Sequence, residues 1–292
     1  MRISLLHRTT FTYAGKAQDS FNEVRLRPVD DASQICRAFE LRTDPVTQPR
    51  DYVDFYGNTV HYFDIVASHS KLVIEAVSEV ETTPNSARPP VPVVPRPDSD
   101  SGTDRELHAE FLTDSHYVPL DVALWKEAKD VLKDGRTDVW SEVRLICQHI
   151  FRTFAYRPKS TGVGTLATDA LKLRMGVCQD FAHVALGLCR SSGIPARYVS
   201  GYFIKSQRNP DEEEASHAWI EAFVPGFGWA AYDPTHDRTA DERYIKVASG
   251  RDYADIRPVS GTYRGGKTRS LNVEVQVREA KVREAEAASA PG

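Results

Sequence analysis

Three residues in one order along the chain could together break an acyl bond: Cys178, then His217, then Asp233. Cys178 opens the run Gly176-Val177-Cys178-Gln179-Asp180-Phe181-Ala182-His183, which continues to Leu188-Cys189-Arg190-Ser191-Ser192-Gly193. Cys178, Phe181, Ala182, Ala185, Leu188 and Cys189 fall on one helical face, and Gly193 supplies a C-terminal cap. The cysteine therefore belongs to the first turn of a helix, where free N–H groups and the macrodipole favour an anion. The same groups suit the oxyanion that forms when a thiolate attacks an amide or ester carbonyl. Cys189, at the far end, has neither advantage. The competing reading of Cys178 is a small buried apolar residue, the usual fate of a free cysteine.

A thiolate nucleophile needs a histidine, and the histidine needs an orienting acceptor. In Ser216-His217-Ala218-Trp219-Ile220-Glu221, strand alternation puts His217, Trp219, Glu221 and Phe223 on one face. In Gly228-Trp229-Ala230-Ala231-Tyr232-Asp233-Pro234-Thr235 it does the same for Trp229, Ala231 and Asp233. Pro225-Gly226-Phe227-Gly228 reads as the hairpin turn between them. An odd loop sets Trp219 opposite Asp233 and makes Asp233 the diagonal neighbour of His217, within side-chain reach. An even loop without a bulge turns the two to opposite faces. The hairpin register therefore tests the pairing.

The elements that must position these residues divide the chain of 292 residues in two. Residues 1–83 read as short strands. Ile3, Leu5, Phe11 and Tyr13 alternate with more polar neighbours, and further runs follow at Glu23–Leu26, Phe39–Leu41, Val60–Val66 and Leu72–Val80. A small all-β sandwich-like domain is expected there. Six prolines between residues 84 and 97 begin an extended connector, taken as 84–104. Residues 105–277 then turn helical and afterwards strand-like. Leu120, Leu124, Ala128 and Val131 share one helical spacing, and Val139, Val143, Ile146, Ile150 and Phe154 another. Strands are expected at Arg197–Ile204, His217–Val224, Trp229–Asp233 and near Leu271–Val277 of this α+β unit. The tail 278–292, rich in Ala and Glu, reads as frayed.

Composition narrows the function classes. Hydrophobic residues at 41% and charged residues at 27% fit a folded soluble chain. Lys+Arg 37 against Asp+Glu 41 gives a net charge of -4, with no basic field to hold a phosphate backbone, so nucleic acid is not expected as a partner. No apolar run approaches the ~18 residues of a membrane span, and Ile3–Leu6 is too short for a signal-peptide core. Four cysteines, Cys36, Cys147, Cys178 and Cys189, form no CxxC pair, which favours a cytoplasmic protein with reduced thiols. No HExxH motif or tight Cys/His cluster is present, so neither a metal nor a cofactor is expected, although His183, His217, Asp233 and His236 could be assembled on paper. Cys147 and His149, two apart on a helix, cannot face each other. His183 reads as peripheral to the cysteine and His236 as a loop residue. The acidic stretch 205–215 reads as a solvated loop, with a mobile cleft rim as the sharper alternative, and Lys159–Thr165 as the opposite rim. Trp219 and Trp229 read as core or cleft wall.

The segments GVCQDFAHVALGLCRSSGIPARYVSGY and SHAWIEAFVPGFGWAAYDPTH resemble the core of the transglutaminase-like superfamily: a G-x-C at a helix start, a G-I-P-A-R-x-V-x-G-Y strand, an H-A-W strand and a D-P-T strand end. The likeness runs from about Thr165 to His236. The β-rich region, with its Asp54-Phe55-Tyr56-Gly57-Asn58 turn, resembles the domain that precedes this core in many bacterial members. The resemblance implies a papain-like site with Cys178 as nucleophile, His217 as general base and acid, and Asp233 as orienter. It also implies a cysteine-dependent hydrolase of amide bonds in a protein or peptide. A glutamine-directed acyl transferase shares the same first half-reaction. The lean to hydrolysis follows from the lack of a calcium-loop motif and from the resemblance, since many compact bacterial members of that superfamily look like peptidases. From a different class, a non-catalytic interaction module that kept the fold is the alternative.

Overall fold

The computed structural model describes residues 1–95, 106–133, 138–204 and 216–279. The acidic stretch 205–215 lies outside these residues, as do 96–105 of the connector and the tail from 280.

Strand β1 (Arg2–Val24) organises the first sheet. Its first part pairs with β5 (His69–Thr82), which also pairs with β2 (Gln34–Asp44). Its last part pairs with β4 (Thr59–Ile65), which carries the edge strand β3 (Arg50–Val53). Between the two parts the register shifts around Gly15 and Asp19, both at positive φ. The inserted residue inverts the alternation: Ile3, Leu5, His7 and Thr9 are buried before it, Ser20, Asn22 and Val24 after it. The two wings enclose Tyr13, Phe63, Ile65, Leu72 and Ile74, so the sandwich-like expectation takes the form of one sheet bent at β1.

In the second region, helices α1 (Val122–Val131), α2 (Val139–Thr153), α3 (Ala167–Leu173) and α4 (Cys178–Ser191) accompany an antiparallel five-stranded sheet. Asp121 and Asp138 cap α1 and α2 by accepting from the N–H groups of Leu124 and Ser141, each at 2.9 Å. Two short parallel strands, β6 (Ala155–Tyr156) and β7 (Met175–Gly176), lead into α4. The large sheet is formed by β8 (Ala196–Phe203), β9 (His217–Val224), β10 (Gly228–Asp233), β11 (Arg238–Thr239) and β12 (Tyr244–Gly250), in the order β11-β10-β9-β8-β12.

One sequence expectation is corrected by the pairing. The strand near Leu271–Val277 forms, but as part of β14 (Thr268–Glu279), which pairs with β1 together with β13 (Val259–Gly265). Its alternation is that of a half-buried strand and carries no address, so sequence could not choose between two sheets. Residues up to Glu279 continue β14, including Arg278 and Glu279 of the tail expected to fray.

The first sheet also packs on the helical core. Ile3, Leu5, Val80 and Val275 join Ile245, Val247 and the helices in one buried cluster. Two side-chain amides read the backbone of β12 at two points each. Gln34 bonds the carbonyl and N–H of Lys246, and Asn58 those of Ser249, all at 2.8 Å.

Candidate active site

Cys178 is the first residue of α4 and is partly exposed. The chain is steered into it by a series of locks. Arg174 ends α3 in the left-handed region, φ 52°, and its guanidinium grips Glu127 of α1 through two bonds of 2.6 and 2.7 Å. The Arg174 carbonyl accepts from Ala155 and the Gly176 carbonyl from Arg157, each at 2.9 Å. Asp180 then folds back to accept the Val177 N–H at 2.8 Å, satisfying one of the free donors at the helix start. The fold-back needs Gly176: a Cβ there would overlap the Asp180 side chain. The Thr161 hydroxyl also donates to Asp180, at 2.6 Å, and Gln179 Nε2 donates to the Val163 carbonyl at 3.0 Å. The two residues after the cysteine thus hold the loop expected to form one rim.

Val224 pairs with Gly228 across the β9–β10 hairpin, leaving the odd loop Pro225–Gly226–Phe227. The register runs on to Tyr232 opposite Ile220, so its next step sets Asp233 against Trp219. This is the alignment that brings His217 and Asp233 to one face. His217 Nε2 lies 2.8 Å from Asp233 Oδ2. The Cys178 side chain adjoins the same imidazole and favours its charged form. With Nε2 committed to Asp233, Nδ1 is the ring nitrogen left for the sulfur.

Asp233 is fully buried, and every contact on it comes from a donor. Besides His217, Oδ2 receives His236 Nδ1 at 2.7 Å and the Tyr244 hydroxyl at 2.7 Å. Oδ1 accepts the Thr235 N–H at 2.8 Å. Burial alone would raise this carboxyl, but the charge and hydrogen bond of His217, then His236, hold it well below the usual carboxylate range. Burial likewise opposes a charged His217; the Asp233 carboxylate, followed by Cys178, outweighs it and lifts the imidazole to about 10. The buried carboxylate thus favours the charged form of the imidazole.

The remaining candidates have structural places. His183 is buried, accepts the Tyr253 N–H at 3.3 Å and stacks on Tyr117. Cys147 and Cys189 are buried, and burial pushes the Cys147 thiol up. His149 turns to Glu127 at 2.6 Å, away from any partnership with Cys147. Trp219 is buried against Val199 and Tyr244. His217, Asp233 and His236 offer ligand atoms within 4.8 Å of one another, the one such grouping among the described residues that could hold a metal ion. Hydrogen bonds to the shared carboxylate already account for their approach.

The sequence signature of the transglutaminase-like superfamily matches residues 126–234, and that of the bacterial transglutaminase-like N-terminal region matches residues 3–81. An uncharacterized protein of Mycobacterium leprae is 36% identical over 94% of this chain and 98% of its own length. The chain belongs to the transglutaminase-like superfamily. Within it, an uncharacterized Mycobacterium tuberculosis protein is 32% identical over 94% of this chain and 92% of its own. The solved structure described as "a Putative Cysteine Protease from Cytophaga hutchinsonii" superposes with a TM-score of 0.74, at 25% identity, covering 96% of this chain and 91% of that one. A "Protein-glutamine gamma-glutamyltransferase" of Pseudomonas aeruginosa is 32% identical over 38% of this chain and 19% of its own.

Sequence reasoning missed three supports of this candidate site. Asp180 was detectable, since an acidic residue at the third helical position is a known N-terminal signal. His236 lies in a loop, as its place after Pro234 implies, but its ring turns back to Asp233. Tyr244 carries no local signal, because β9 and β8 separate β12 from β10 in the sheet and only the folded sheet lets this side chain reach Asp233.

Proposed function

We propose that this protein is a cysteine-dependent amide-bond hydrolase that acts on a protein or peptide through an acyl-thioester on Cys178. The observation that carries the reading is an imidazole held 2.8 Å from the buried Asp233 carboxylate, with Cys178 beside the same ring at the start of α4.

The steps follow from that geometry. His217 holds the thiol proton, leaving a thiolate at the start of α4. The sulfur adds to the amide carbonyl, and the negative oxygen meets N–H groups at the helix N-terminus. His217 passes its proton to the departing amine as the C–N bond breaks, and the acyl group remains on sulfur. A water molecule then gives its proton to the imidazole, its oxygen replaces sulfur on the acyl carbon, and the acid leaves. Throughout, Nε2–H stays bonded to Asp233, which fixes tautomer and orientation. An amine in place of water would make the same intermediate a crosslink. The similarity to the P. aeruginosa glutamyltransferase supports that second reading over the shorter segment it covers.

The test follows alkylation of Cys178 by mass spectrometry across pH, with His217→Ala alongside and Cys36, Cys147 and Cys189 as internal controls. Fast labelling below pH 8 that slows without His217 is expected. Labelling no faster than at an ordinary accessible thiol, and indifferent to His217, would overturn the catalytic reading in favour of a binding module. Peptide substrates offered with and without a primary amine then separate acid release, the expected product, from amine incorporation.

A further inference from the structure

Asp233 is held by more than the triad requires. A carboxylate that only oriented His217 would need one bond to that ring, yet Oδ2 takes three donors and Oδ1 a fourth. The donors come from separate elements: His217 opens β9, Thr235 and His236 lie in the turn after β10, and Tyr244 opens β12.

We propose that Tyr244 and His236 are positioning residues for this reaction, clamping the Asp233 carboxylate so that His217 stays aimed at Cys178. The proposal rests on the reading of Cys178, His217 and Asp233 given above. The physical case concerns rotation and sharing of charge. A carboxylate anchored by one side-chain bond can turn about its Cβ–Cγ bond and carry the imidazole with it. Rotating this one would sacrifice several charge-assisted bonds together, each among the stronger kind in a protein. Tyr244 is suited to the role because its ring is itself immobile, buried with Val199 and Trp219 and packed 4.5 Å from Phe203. Its phenol, pushed up by burial and then by Asp233, only donates. His236 must carry its proton on Nδ1 to face the same oxygen, so Nε2 is left pointing away from the carboxylate.

Sharing also limits how tightly Asp233 can hold the imidazolium. Three donors on one oxygen divide its negative charge, so His217 is oriented without being prevented from releasing its other proton to a leaving group. Tyr244 and His236 touch neither sulfur nor substrate in this scheme; their rings also flank that of His217, and their hydrogen bonds go to Asp233.

That dependence supplies the test. The second-order rate of Cys178 alkylation by iodoacetamide is measured for wild type, Tyr244→Phe, His236→Ala, His236→Asn and Asp233→Asn, and for Tyr244→Phe and His236→Ala in the Asp233→Asn background. Phenylalanine keeps the ring in its cluster, and thermal melting by circular dichroism checks that each variant is folded. Tyr244→Phe is expected to slow labelling about tenfold, the scale of one hydrogen bond to a charged group. His236→Ala is expected to slow it, and His236→Asn, whose amide nitrogen can replace Nδ1, to restore much of the rate. In the Asp233→Asn background neither substitution should slow it further. An activated Cys178 that labels at the wild-type rate in Tyr244→Phe and His236→Ala would overturn the clamp and leave the triad standing. Equal slowing with and without Asp233 would do the same, because the effect would not pass through the carboxylate. A wild-type Cys178 that is not activated would overturn the reading of the site, and the clamp with it.

Discussion

At the residue scale, His217 is governed by two opposing forces. Burial favours a neutral ring, and the buried carboxylate beside it favours the cation. The carboxylate wins, lifting the group from an ordinary 6.5 to about 10. Because the folded value lies above the unfolded one, the stabilisation is present in full below about 6.5 and is lost as pH rises through about 10. Replacing His217 by Gln should therefore cost more stability at pH 6.5 than at pH 10.5. Urea midpoints of the two proteins at both pH values check this, and a gap that is constant or grows with pH would refute it. The charge on His217 is thus tied to folding as well as to the proposed chemistry.

At the element scale, β9 carries two charged constellations on one face. His217 opens the strand, and four residues on, Glu221 is buried between Arg197 of β8, at 2.6 Å, and Lys246 of β12, at 2.9 Å. Burial would raise the Glu221 carboxyl, but Arg197 and then Lys246 lower it to about 2. Here the folded value lies below the ordinary 4.5, so the stabilisation exists above about 4.5 and disappears as pH falls through about 2. Glu221→Gln should destabilise the protein by about 3 kcal/mol at neutral pH, since two cations are left without their buried carboxylate. The penalty should shrink between pH 4.5 and pH 2. Denaturant unfolding of both proteins over that range would contradict the assignment if the difference failed to narrow. The cross-strand pairs keep β8, β9 and β12 in fixed register, and that register sets where His217 and Tyr244 stand.

At the scale of the whole molecule, the two sheets cannot be separated by cutting the chain once. The last two strands, β13 and β14, run one after the other along β1 after the chain has completed the second sheet. Val275 of β14 lies in the core shared with the helices. The two-point bonds of Gln34 and Asn58 then tie the first sheet to β12, the strand that starts with Tyr244. His7 adds a further link, its Nδ1 lying 2.7 Å from the Tyr202 hydroxyl of β8. Deleting residues 259–279 should expose both flanks of this arrangement and abolish cooperative thermal unfolding. A truncated chain that still melts in one sharp transition near the full-length midpoint would show these two strands to be dispensable. No helix among the described residues is long and apolar enough to cross a membrane.

What the sequence determined by itself was local and periodic. A helix start at Cys178, a glycine end at Gly193, and two strands whose alternation placed His217 and Asp233 were all readable from spacing. Spacing also required an odd hairpin loop, and the loop Pro225–Phe227 meets that requirement. Such features depend on neighbours within one helical turn or one hairpin, where backbone geometry leaves few choices. Tertiary structure decided whatever joins distant segments. The sheet that receives β14, the Tyr244 donor that reaches Asp233 from β12, and the amides of Gln34 and Asn58 on that strand belong to this class. Their residues show ordinary strand and turn patterns, and a pattern repeated in many strands does not name its partner. Only the packing of the two sheets against one core supplies that choice.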